Sequence, residues 1–525
     1  MTDFHVYDTT LRDGAQQEGL NLSVADKLAI AAHLDDLGVG FIEGGWPGAN
    51  PKDTEFFARA ATELPLRNAT LAAFGATRRA GGAASSDPLI RALLDSQAPV
   101  VTLVAKSHIG HVERALRTTG AENLAMIRDT VSFLRGEGRR VFLDAEHFFD
   151  GYAVDRAYAL EAVRVAMESG AEVVALCDTN GGMLPGQIGD LVADVLDATG
   201  ARLGIHCHND TGCAVANSMA ALDAGATHVQ GTINGYGERT GNADLLTVVS
   251  NLQTKLGQQV IEPHRLRDAT RIAHAISEVT NVPPYSRQPY VGASAFAHKA
   301  GLHASAIKID PDLYQHTDPK AVGNDMRMLV SDMAGRASIE LKARELGQDL
   351  SEDSVTVQRV LARVKDLELR GYTFDAADAS FDLLLRRELG QLPDYFDVES
   401  WRVITDRRGE GDAMSEATVK VSAGGQRVVA TGEGNGPVNA LDHALRQALL
   451  PAYPELDALE LIDYRVRILD AAHGTDAVTR VLIETSDGTS SWETIGVAAN
   501  IVEASWRALV EGVTYGLLRA KVAAR

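Results

Sequence analysis

Eight short runs of β-branched or apolar residues recur through the first half of this chain, and each ends in polar residues: FHVYDTTLRDG, VGFIEGGWPG, ATLAAFGATR, VVTLVAKSH, RRVFLDAEHFF, AEVVALCDTNGG, ARLGIHCHNDTG and THVQGTINGYGERTGN. Helical patterns fill the gaps between them. Ser23 to Leu37 opens on a capping serine, repeats apolar residues at helical spacing and stops at Gly38; Asp155 to Ser169 ends in the same way at Gly170. Strands alternating with helices imply parallel βα units. Eight units in about 260 residues fit a (β/α)8 TIM barrel. An open doubly wound sheet would carry a Gly-rich first turn, and TLRDGAQ is not one.

The beat stops after about residue 258, which sets a barrel domain at 1–258. Residues 259–395 read as mainly helical linker subdomains, entered through the extended, proline-rich VPPYSRQPYVG and holding the His-, Gly- and Lys-rich FAHKAGLHASAIKIDPDLYQH. Residues 396–525 read as an α+β domain with an internal repeat. Strands over ATVKVSAG and QRVVATGEG precede the helix VNALDHALRQALL; strands over LELIDYRVRIL, TRVLIETSDG and SWETIGVAAN precede the helix IVEASWRALVEGVTYGLLR.

Charge narrows the partners. Asp and Glu number 71 against 50 Lys and Arg, a net charge of -21, which argues against nucleic acid or an anionic membrane as partner. Three cysteines, Cys177, Cys207 and Cys213, give no disulfide framework and fit a reducing cytoplasm. No apolar run reaches the ~18 residues of a membrane helix, and MTDFHVYDTT does not read as a secretory signal.

In a barrel of this kind the strands' C-terminal ends form the reactive face. Asp13, Glu43, Glu146, Asp178, His206, His208 and Glu238 all fall near that rim. Side chains alternate along a strand, so His206 and His208 point the same way, their positions about 7 Å apart, and Cys207 points into the packing behind them. Two imidazoles so placed can share a metal. Taken alone, H-x-H is equally a pair of polar residues at a strand end. Arg12 and Asp13 in DTTLRDGAQ place a hard oxygen and a cation beside the same mouth, and GERTGN offers Asn242 as a neutral oxygen ligand.

Together, D-x-x-L-R-D-G-x-Q, H-x-H-N-D and G-x-G-E-R-T-G-N resemble the DRE-TIM metallolyase family, whose acyl-transferring members include 2-isopropylmalate, homocitrate and citramalate synthases. EGGWPGANPKD, FAHKAGLHASA and GNGPVNALDHAL resemble the citramalate synthase branch more closely. The 2-isopropylmalate synthases tend to carry H-Q-D where this chain has GLHASA.

The resemblance implies an acyltransferase that joins pyruvate to acetyl-CoA, with 2-isopropylmalate synthase and an acyl-CoA lyase as rival readings. It implies a divalent metal (Mn, Mg, Zn or Co) on Asp13, His206, His208 and Asn242. Arg12 is then the catalytic arginine, Glu146, His303 and Tyr314 are candidates for the base, and Gln16, Asp144, Thr179 and Glu238 contact substrate. His303 and Tyr314 are expected from the partner subunit of a homodimer with shared active sites. The C-terminal domain resembles a regulatory domain that binds an end-product amino acid, isoleucine or leucine here. Gly434, Gly436, Ala499 and Asn500, in the two turns that open helices, are its candidate contacts; the same turns equally fit a purely dimerising role.

Overall fold

The computed structural model describes residues 4–331, 333–407, 412–469 and 477–524. The chain divides into two compact units. The first runs to Phe296 and takes in Thr317–Asp325; the second holds Ala297–His316 and the chain from Met326 onward.

Eight parallel strands close the barrel: β1 (His5–Asp8), β2 (Phe41–Glu43), β3 (Thr70–Ala76), β4 (Val100–Lys106), β5 (Arg140–Glu146), β6 (Val173–Asp178), β7 (Leu203–Cys207) and β8 (His228–Gly231). The seam is β1 on β8, with His5 opposite His228 and Asp8 opposite Gly231. All eight expected runs supply a strand. Alternation along each strand sorts the side chains. Tyr7, Phe41, Ala72, Val100, Phe142 and Val173 fill the barrel interior. Their sequence neighbours Val6, Ile42, Ala73, Val101, Val141 and Val174 point outward into the core shared with the surrounding helices.

The helices begin and end for local reasons. The helix Val24–Leu37 starts at Ser23, whose side chain accepts from the Asp26 N–H while Asp26 reaches back to the Ser23 N–H, and ends at Gly38 in the left-handed region. The helix Arg156–Glu168 is capped by Asp155, which accepts from the Tyr158 N–H. The barrel's unit continues past residue 258 through the helix Ala269–Thr280, whose Ile272, Ala273 and Ile276 belong to the barrel's core.

In the second unit, β9 (Ala297–His298) and β10 (Arg327–Met328) pair in parallel, and the helices Arg336–Glu345, Ser354–Leu369 and Asp378–Glu388 share a small core around Ile339, Val360 and Phe381. Two antiparallel sheets follow: β11 (Phe396–Asp406), β12 (Met414–Ala423) and β13 (Gln426–Gly434), then β14 (Glu460–Ile468), β15 (Thr479–Ser486) and β16 (Ser491–Ala498). Each sheet is closed by a helix, Pro437–Leu449 and Ile501–Arg519. The repeat extends to single residues. A Cβ at Gly432 would fall 2.5 Å from the Ala444 nitrogen, and one at Gly496 only 1.8 Å from the Ala504 carbonyl oxygen. Each glycine lets its own helix cross the third strand at close range. The sequence pattern predicts two strands in the first repeat; β11 is a third, and most of its residues are exposed, which hides the alternation. No helix among the described residues is long and apolar enough to cross a membrane.

Candidate active site

One layer above the aromatic plug, the inward positions turn polar. Glu43 follows Phe41, Thr102 follows Val100, Asp144 and Glu146 follow Phe142, Gln230 follows His228, and His206 follows Gly204. Strand alternation alone brings these groups to one mouth.

Three side chains meet there as a possible metal site. The ligand atoms of Asp13, His206 and His208 all lie within 4.8 Å of one another, and all three residues are buried. The His206 Nε2 is 3.1 Å from Asp13 Oδ2, His208 Nε2 is 3.8 Å from the same oxygen, and the two Nε2 atoms are 3.4 Å apart. Donors about 2.1 Å from a common ion stand roughly 3.0–3.4 Å apart, so the 3.1 and 3.4 Å separations suit a shared divalent cation and the 3.8 Å one is slightly wide for it.

Asn242 reaches the group by a different route. The segment after β8 folds back so that Asn242 bridges His208, with Asn209 N–H donating to the Gly241 carbonyl and Ala243 N–H to the Cys207 carbonyl. The fold-back needs glycine at 241: φ is +87° and a Cβ would lie 2.0 Å from the Gly235 oxygen. The Asn242 amide donates to Asp13 Oδ2 at 3.0 Å, and its own Oδ1 is buried with no hydrogen-bond partner. An orphaned amide oxygen beside a carboxylate and two imidazoles fits a fourth ligand.

Charges in the cluster are strongly coupled. Burial works to raise the Asp13 pKa, but Arg12 and the two imidazoles hold it well below the usual carboxylate range. Burial opposes a charge on His206, yet Asp13 outweighs it and raises that pKa. His208 is lowered to about 4, by burial and by His206. The cluster therefore favours one positive charge beside Asp13, on His206, and disfavours a second on His208. His206 Nδ1 donates to Gln230 Oε1 at 2.8 Å, and the Gln230 amide donates to Asp144 Oδ1 at 2.7 Å. That arrangement places a hydrogen on Nδ1 and turns Nε2 toward the cluster, 3.1 Å from Asp13 Oδ2.

Arg12 lies alongside. Its Nε donates to Glu43 at 2.5 Å, and its Nη1 is 3.7 Å from Asp13 Oδ1. Glu43 also accepts from the Tyr7 hydroxyl at 2.7 Å. Burial, and next the Glu43 charge, raise Asp144 to about 7. Glu146 is ion-paired with Lys106 from the end of β4. Thr179, just past β6, accepts from the His147 N–H at 2.8 Å rather than capping a helix.

A cavity of about 260 Å³ gathers Arg12, Asp13, Gln16, Asp144, Glu146, Thr179, His206, His208 and Glu238 on its walls. Trp46, Phe74, Val104, Cys177 and Arg239 complete it, and none of them stands out as a site residue in the sequence. Trp46 lies in the quoted EGGWPGANPKD, but Phe74 and Val104 sit inside apolar runs that read as ordinary core. Cys207 packs outward among the barrel's core residues. His303 and Tyr314 belong to the second unit, where their rings stack at 4.1 Å and 28°.

In the C-terminal domain, a cavity of about 790 Å³ opens against the start of the helix Pro437–Leu449; Gly436, Asn439, Arg446, Tyr464 and Ser505 line it. Gly434, Ala499 and Asn500 do not line it. Gly434 packs on Asn439, and the Asn500 side chain caps its own helix through the Val502 and Glu503 N–H groups.

Residues 3–273 match the HMGL-like family, 290–371 the homocitrate synthase post-HMGL domain-like family, and 375–517 the LeuA allosteric (dimerisation) domain. An (R)-citramalate synthase of Streptomyces coelicolor is 67% identical, covering 99% of this chain and 98% of that protein. An (R)-citramalate synthase of Synechocystis is 49% identical, over 98% and 96%. A probable 2-isopropylmalate synthase of Methanopyrus kandleri is 34% identical, over 97% of each.

Proposed function

The chain belongs to the (R)-citramalate synthases of the HMGL-like family, and from that premise we infer how its residues divide the work. The enzyme is an acyltransferase: pyruvate, acetyl-CoA and water give citramalate and CoA, the acetyl group becoming an alkyl branch. The observation that carries the reading is the buried Asp13–His206–His208 cluster with Arg12 against it in one cavity.

A divalent ion on Asp13, His206, His208 and Asn242 would supply Lewis acidity to the 2-oxo acid; two imidazole nitrogens and two oxygens suit Mn, Mg, Zn or Co. Arg12 faces the carbonyl oxygen as negative charge develops on it, and its hydrogen bond to Glu43 fixes its direction before substrate arrives. Gln16, Thr179 and Glu238 contact the acceptor. Asp144 lines the cavity and also braces Gln230. A proton must leave the acetyl methyl group, and Glu146, His303 and Tyr314 are the groups assigned to that transfer. Glu146 is held by Lys106, and the stacked His303–Tyr314 pair places an imidazole beside a phenol.

The domains are assigned as catalysis at 1–258, completion of the site at 259–395, and regulation with dimerisation at 396–525. The match to the LeuA allosteric (dimerisation) domain supports a homodimer in which His303 and Tyr314 serve the partner's barrel. The cavity at Gly436 supports binding of an end-product amino acid, isoleucine or leucine, whose carboxylate would meet backbone N–H groups at the helix start. Inhibition by isoleucine would fit a place in its synthesis. Three free thiols support a reducing cytoplasmic setting.

Asp13→Ala tests the central assignment. Metal binding and CoA release should both fall at least ~100-fold while the thermal midpoint stays within a few degrees. Full activity in a folded variant would remove Asp13 from the site.

A further inference from the structure

We propose that Phe74 and Trp46 are positioning residues for Arg12, and that the segment Gly44–Asp53, the loop after β2 with the first turn of the helix Pro51–Glu63, holds them in place. The inference rests on the reading that Arg12 faces the acceptor's oxyanion. The Arg12 guanidinium carbon lies 3.9 Å from the Phe74 ring centroid. The negative face of the ring attracts the cation, and a buried ring does so more strongly than an exposed one. Phe74 is only 6% exposed. The ring fixes one face of the guanidinium and Glu43 fixes its Nε, so the orientation of the remaining N–H groups is set by two contacts.

Phe74 is itself held. Trp46 meets it edge to face, with centroids 5.4 Å apart and ring planes at 81°. Trp46 is placed through its backbone: its N–H donates to Asp53 Oδ2 at 2.8 Å. Asp53 is ion-paired with Lys27, and both are buried. Lys27 Nζ also donates to the Gly44 carbonyl at 3.0 Å, so one ammonium ties both ends of the segment. The loop needs glycine at 45: φ is +135° and a Cβ there would fall 2.3 Å from the Asp53 carboxyl carbon. A buried ion pair adds little net stability against apolar alternatives, and its best-attested use is to fix an arrangement. Here that arrangement runs from Lys27 through Asp53 and Trp46 to Phe74 and Arg12, which gives EGGWPGANPKD a physical role.

The test replaces Phe74 with mono-, di- and trifluorinated phenylalanine, which weakens the ring's negative face at nearly constant shape. Metal-loaded enzyme is assayed for CoA release with pyruvate. Each added fluorine should lower kcat in steps, to roughly 10-fold at three fluorines, with the pyruvate KM and the preference among 2-oxo acids unmoved. Phe74→Tyr should stay within about 3-fold of the parent, and Phe74→Leu should lose at least ~10-fold in kcat. A flat fluorine series, or a loss confined to KM with a shift toward bulkier acceptors, would overturn the inference and make Phe74 only a wall. Arg12→Lys in the same assay separates the two levels. If it costs about 100-fold while the fluorine series is flat, the positioning role fails alone; if it costs nothing, the oxyanion assignment of Arg12 fails.

Discussion

His206 Nδ1 stands 2.8 Å from Oε1 of Gln230, and the other end of that amide is fixed by Asp144 at 2.7 Å. Gln230 is fully buried, so its amide has one orientation that satisfies both neighbours. In the neutral ring it therefore selects the His206 tautomer with its hydrogen on Nδ1, which turns the Nε2 lone pair toward Asp13 and His208.

Gln230→Met keeps the volume and removes that hydrogen bond. Affinity for Mn2+, followed by titration calorimetry on the full chain, should fall about 10- to 100-fold. An unchanged affinity in a variant that keeps its thermal midpoint would show that the His206 tautomer is set by something else.

A second prediction concerns pH. Burial raises the Asp8 carboxyl from 3.8 to about 7 in the folded chain, against the hydrogen bonds it accepts from Thr10. Between pH ~4 and ~7 the folded state then holds a proton that the unfolded chain has released. Stability from this group is full below pH ~4, falls as pH rises through about 7, and is flat above. Asp8→Asn mimics the protonated acid and should remove that slope. In urea titrations it should match the parent near pH 4 and exceed it near pH 8, by an amount on the order of a few kcal/mol. Equal slopes for the two proteins would refute the raised pKa.

The regulatory reading predicts that Ser505→Leu, which fills the cavity beside Tyr464 and removes a 2.7 Å hydrogen bond, raises the isoleucine or leucine concentration needed for half-inhibition by at least ~10-fold. The readout is CoA release against effector concentration. A wild-type enzyme indifferent to both amino acids would dispose of the effector site.

Much of this was legible in the sequence because barrel strands must alternate inward and outward. That rule separates His206 and His208 from Cys207, and β-branched runs ending in polar residues locate all eight strands. Asn242 is harder to place, since its contact with Asp13 depends on a fold-back that only Gly241 permits. Phe74 and Val104 were hidden for the opposite reason: an apolar residue on a barrel strand looks the same whether it lines a cavity or fills a core. Gln230 and Lys106 act through neighbours from other strands, and one-dimensional spacing carries no trace of such pairs. β11 escapes the sequence pattern because mostly exposed strand positions leave the period-two alternation without an apolar face.

The acceptor decides the central claim. CoA release should be measured for the metal-loaded enzyme with acetyl-CoA and a panel of pyruvate, 2-oxobutyrate, 2-oxoisovalerate and glyoxylate. Pyruvate and 2-oxoisovalerate differ by two methyl groups, and a pocket separates such acceptors by about 1–3 kcal/mol per methyl-sized step. A citramalate synthase should show kcat/KM for pyruvate at least ~10-fold above that for 2-oxoisovalerate. A preference for 2-oxoisovalerate would contradict the assignment.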